Sequence, residues 1–119
     1  MELEKTQRND CVIAVAQGQE MVVTDAQSAL DLLMEVKYTL GTKNIAIAKE
    51  QICRDFFILS SGLAGEILQK YVNYGGRIAI YGDFSAFTSK PLHDFIYESN
   101  KGHDVFFVPT PDEALTRLE

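Results

Sequence analysis

The chain has 119 residues, enough for one hydrophobic core and too few for two. Its 46% hydrophobic and 24% charged content excludes a disordered chain. A formal net charge of −6, with the basic residues scattered, argues against nucleic acid or an anionic membrane as the main partner.

Residues 1–10 are polar and charged and read as a flexible N-terminus ahead of a single α/β domain over residues 11–119. Cys11–Ala16 and Glu20–Thr24 are short β-rich runs around Gln17-Gly18-Gln19, which predicts a hairpin. The period then changes. Ala26, Ala29, Leu30, Leu33, Val36 and Leu40 recur at helical spacing, Thr24 and Gln27 have capping-box spacing, and Gly41 supplies a stop. Asn44–Ala48 is the next strand, and residues 49–59 read as irregular with room for one helical turn.

Leu63, Ile67, Leu68, Tyr71 and Val72 form the stripe of a second helix that ends near Gly75-Gly76. Arg77–Tyr81 is a compact apolar strand suited to burial on both faces. Asp83–Phe87 is a loop, and Ser89-Lys90-Pro91 opens a third helix whose Leu92, Phe95 and Ile96 face inward before Gly102. Asp104–Val108 is the last strand. Thr110-Pro111-Asp112-Glu113 then combines a cap, a proline and an acidic first turn, starting a helix that docks through Ala114, Leu115 and Leu118. The order ββαβαβαβα predicts a mixed, mostly parallel five-stranded sheet with four helices.

No motif for metal, nucleotide or nucleophilic chemistry stands out. Cys11 and Cys53 lack close spacing, and with only His93 and His103 beside them a metal site is not expected. No spacing pairs either histidine with a nucleophile, so catalysis is not favoured and no cofactor is implied. The first residues lack a secretion signal and no apolar run approaches the ~20 residues that cross a bilayer. The expectation is a cytoplasmic protein with no membrane contact.

The functional signal is Leu59-Ser60-Ser61-Gly62-Leu63-Ala64-Gly65, where an apolar run becomes a helix. With the element order it resembles the STAS family of anti-sigma-factor-antagonist-like domains, which carry an Asp-Ser-Ser-Gly-Leu-Gly type motif there. That resemblance implies a regulatory or protein-interaction module, with Ser61 matching the serine that a partner kinase phosphorylates in the antagonist members. Leu59 stands where those members have an acidic residue. The chain also looks like a small bacterial domain family of unknown function, on Gly62–Lys70 and Asp94–Gly102.

Ser60 or Ser61 as a helix cap is the plainer reading; a phosphoryl group there would also be favoured by free amides and the helix dipole. Ser60, Ser61, Gly62 and Glu66 are therefore the candidates for a partner-binding or phosphorylated surface. Gly62 and Gly65, one turn apart, suggest close approach of a neighbour. The alternative is a small ligand or enzyme substrate at the carboxyl edge of the sheet, using Asp83, Ser85, Thr88, Ser89 and Lys90, where α/β sheets gather their loops. Phe84 and Phe87 fit either a partner anchor or closure of the core. The partner's identity and the oligomeric state are not legible in the sequence.

Overall fold

A computed structural model describes residues 2–119. The fold is a single α/β domain with a five-stranded mixed sheet and four helices, in the expected order. The strands are β1 (Glu2–Arg8), β2 (Cys11–Gln17), β3 (Asn44–Ala48), β4 (Arg77–Tyr81) and β5 (Val105–Val108). The helices are α1 (Ala26–Leu40), α2 (Leu63–Tyr74), α3 (Lys90–Lys101) and α4 (Pro111–Leu118).

Spatial order follows chain order, β1-β2-β3-β4-β5, with β1 antiparallel to β2 and every other pair parallel. Right-handed crossovers taken repeatedly in one direction place α1, α2 and α3 on the same face. Their core joins Ala14, Ile45, Ile47, Ile78, Ile80 and Phe107 to Leu32, Leu33, Val36, Ile67, Tyr71 and Leu92. The opposite face carries Ile13, Ala46, Ala79, Phe106 and Val108, covered by Ala114 and Leu118 of α4. β3 and β5 are apolar on both sides because both of their faces are covered.

The opening of the chain departs from the sequence reading. Glu2–Arg8 is a strand and not a frayed end; residue 1 lies outside the described residues. Its hairpin partner is β2, through a turn at Asn9 and Asp10, whose φ values of 47° and 66° are left-handed. Asn and Asp tolerate that conformation, and a two-residue turn of this kind matches the strand twist. β1 is polar because it lies at the sheet's edge, with only Leu3, Thr6 and Arg8 half-buried. Glu20–Thr24 is therefore not the hairpin's second arm. Instead Val22 and Val23 donate to the Gln51 carbonyl at 2.7 and 3.0 Å, a staple beside the central sheet.

Smaller differences follow from phase. α1 is capped by Asp25 and Ser28, not Thr24 and Gln27; Ser28 N donates to Asp25 Oδ1 at 2.7 Å, and Asp25 N to Ser28 Oγ at 3.0 Å. α2 buries Ala64, Ile67 and Tyr71, while Val72 is 51% exposed. Residues 49–61 hold three short 3-10 turns in place of one helical turn.

α4 is tied down by two arginines of the sheet, one in β1 and one in β4. Arg8 pairs with Asp112 at 2.5 Å and Glu119 at 3.3 Å. Arg77 donates to the carbonyls of Leu118 at 3.0 Å and His103 at 2.8 Å and to Asn44 Oδ1 at 3.2 Å.

Candidate functional site

The serine motif emerges from two consecutive 3-10 turns, Arg54–Phe57 and Leu59–Ser61. With three residues per turn, Phe56 and Phe57 point into the core while Ile58 rotates outward, 46% exposed. Gly62 sits at φ 81°, a left-handed conformation that explains its glycine, and α2 starts at the next residue.

Ser61 works as a turn lock. Its Oγ donates to the Asp55 carbonyl at 2.6 Å and accepts from the Leu63 amide at 3.2 Å. The capping function foreseen for the serine pair is thus performed by Ser61 from one residue ahead of the cap position. Ser60 and Ser61 are exposed, as are Gly62 and Glu66, with Glu66 in the acid-favouring first turn of α2. Close approach does not explain Gly65: a Cβ there would meet nothing within 4 Å. The tightly packed glycines are Gly76, against Leu33, and Gly82, against Lys49.

The second group of candidates is dispersed by its own bonds. Ser85 donates its amide to Asp83 Oδ1 at 2.9 Å, and the Ser85 hydroxyl and amide hold the Asp83 carboxyl below its ordinary range. Lys90 pairs with Asp94 at 2.8 Å, which raises its ammonium above the ordinary range. Ser89 caps α3 by accepting from Leu92 N at 3.4 Å, and Thr88 is exposed just before it. The spatial order of the parallel strands never reverses, so the sheet has no switch-point crevice of the kind that holds ligands in doubly wound folds.

Phe84 and Phe87 close the core. Phe87 stacks on Phe57 with centroids 5.0 Å apart, and Phe84 meets Phe107 edge-on at 5.7 Å. Lys49 fastens this loop from the end of β3, donating to the Asp83 carbonyl at 2.6 Å with its ammonium 5.3 Å from the Phe87 ring centre. His93 Nε2 bonds the Phe87 carbonyl. Cys11 Sγ donates to the Leu118 carbonyl at 3.3 Å and Cys53 Sγ to the Thr24 carbonyl at 3.4 Å, so each thiol is occupied locally.

One groove joins the two candidate groups. Phe57, Ile58, Leu59 and Ser60 form one wall, and Ser89 and Pro91, at the start of α3, form the other, enclosing about 490 Å³ open to solvent. Ile58 and Pro91 are the residues that sequence reasoning missed. The available signal was the Phe56-Phe57-Ile58-Leu59 run: four apolar residues in a 3-10 path cannot all turn inward.

These features define a small α/β domain with helices stacked three against one and an apolar groove at the start of two helices. The chain belongs to the family described as a domain of unknown function, DUF4180, whose model matches residues 8–118. No curated protein and no solved structure matches it. Among the described residues no helix is long and apolar enough to cross a membrane.

Proposed function

We propose that this domain is a non-catalytic regulatory module of the cytoplasm that binds a protein partner through the groove beside Ser61. The observation that carries the reading is Ile58, a large apolar side chain nearly half exposed on a groove whose other members are Phe57, Leu59, Ser60, Ser89 and Pro91. Buried aromatic and aliphatic anchors set in such pockets dominate interface energetics. An apolar side chain of the partner fills the groove, while Ser60, Ser61 and Glu66 form its polar rim.

The likeness to anti-sigma-factor-antagonist-like domains extends, on this reading, to a switch at Ser61. A phosphoryl group on Ser61 Oγ forfeits the bond to the Asp55 carbonyl, gains the amides at the start of α2, and adds nearly two negative charges to the rim. An apolar partner is then expelled.

The test is a pull-down from native lysate with four folded baits: wild type, Ile58→Glu, Ser61→Asp and, as a remote control, Tyr38→Ala, whose side chain is 92% exposed on α1. A partner retained by wild type and Tyr38→Ala and lost by both Ile58→Glu and Ser61→Asp supports the proposal. Equal retention by all four places binding elsewhere and refutes it.

A further inference from the structure

The two edges of the sheet are finished differently. At β5, the side-chain amide of Asn100 does the work of a neighbouring strand: its Nδ2 donates to the Phe107 carbonyl at 3.0 Å, and the Phe107 amide donates to its Oδ1 at 2.7 Å. Arg117 holds the Asn100 carbonyl. The edge is capped there, at Phe107.

At β1 no side chain does this among the described residues. The two-residue turn at Asn9 and Asp10 makes Arg8 and Cys11 the hydrogen-bonded pair that closes the hairpin. Alternation then directs the main-chain groups of Glu2, Glu4, Thr6 and Arg8 toward β2 and those of Leu3, Lys5 and Gln7 outward. An outward row of unpaired amides and carbonyls is a template for another strand.

The side chains select which strand. Along β1 the acidic residues come first, Glu2 and Glu4, and the basic residues follow, Lys5 and Arg8. A strand so arranged is complementary to itself when reversed. We propose that two copies of this chain join edge to edge through β1, antiparallel about a two-fold axis at Thr6, continuing one sheet across both molecules.

The register follows from two requirements. Outward groups must meet outward groups, so Lys5 of one copy exchanges bonds with Gln7 of the other. Centring the axis on Glu4 or Lys5 would set like charges directly opposite each other, which destabilises the pair. Centring it on Thr6 sets Thr6 against Thr6 and Glu4 against Arg8 of the second copy, on both sides of the axis. Within its own copy Arg8 also pairs with Asp112 and Glu119, which fixes its side chain on the α4 face of the sheet. A closed two-fold of this kind uses up both free edges and leaves none to propagate.

The experiment measures the mass of purified chain by sedimentation equilibrium across a concentration series, beside Glu4→Lys and Thr6→Cys, each checked for folding by circular dichroism. Wild type is expected at twice the chain mass, and Glu4→Lys to dissociate about tenfold more readily or worse, since each copy's attraction becomes repulsion. Facing residues of a non-hydrogen-bonded antiparallel pair have Cα atoms about 4.5 Å apart, within disulfide reach. Under mild oxidation Thr6→Cys therefore links into a covalent dimer, while wild type, carrying only Cys11 and Cys53, does not. A single-chain mass throughout overturns the proposal. So does a dimer that tolerates Glu4→Lys and leaves Thr6→Cys unlinked, because its interface lies elsewhere.

Discussion

The Tyr71 hydroxyl donates to the Ala29 carbonyl at 2.8 Å, a polar bond between α2 and α1 at a residue with no exposed surface. Burial raises this hydroxyl well above its ordinary pKa, so it stays a donor wherever the protein is folded. Tyr71→Phe is expected to cost about 1 kcal/mol at neutral pH. The pH dependence has a definite sign. The folded state holds this proton more tightly, so stability is full below the unfolded pKa of about 10 and falls as pH rises beyond it. Urea midpoints measured from pH 7 to 11 should decline less steeply in Tyr71→Phe than in wild type.

Asp25 gives the opposite limb. The Ser28 amide and hydroxyl lower its carboxyl below the ordinary value. Its contribution is present above about pH 4, the unfolded value, and is lost as pH falls through the lower folded value. Asp25→Ala should melt at lower temperature than wild type at pH 7, and the gap should narrow in acid. A gap independent of pH would assign the effect to something other than the ionised cap.

Two glycines should respond in opposite directions. Gly76→Ala places a Cβ 2.6 Å from Leu33 Cδ2 and about as close to its other methyl, overpacking that costs about 1–3 kcal/mol. Gly65→Ala meets open space inside a helix and should stabilise by about 1 kcal/mol. Chemical denaturation of both variants checks the sign of each.

Arg77 is the clasp between the sheet and the end of α4. Arg77→Lys keeps the charge but cannot reach the His103 and Leu118 carbonyls and Asn44 together, and should cost about 2 kcal/mol. Hydrogen exchange should locate the loss, with α4 amides losing protection ahead of those in β3.

Periodicity located the later elements because each one's local signals agreed with its tertiary place. Thr110 accepts from the Glu113 amide at 3.2 Å as its spacing implies, and Ser89-Lys90-Pro91 opens α3. The opening hairpin was not legible in this way. A polar edge strand such as β1 lacks the apolar alternation by which strands are recognised, while Val22-Val23 has strand composition without a place in the sheet. Val72 and Ala64 show the limit of hydrophobicity within a helix, since the packing phase buries the smaller residue and exposes the larger. At the candidate site, Ser61 was legible as a motif. That Ile58 and Pro91 would line a groove between Ser60 and Ser89 was not, because it depends on how the 3-10 turns meet the start of α3.

The three-to-one division of helices sets an order on synthesis. Every strand precedes α4, so Ile13, Ala46, Ala79, Phe106 and Val108 have no helix to cover them until α4 has left the ribosome. For that interval the nascent sheet carries a greasy flank, the kind of transient surface that chaperones bind and aggregation exploits. The Arg8–Asp112 pair then fastens α4 to β1, so the fold closes only once α4 has been made.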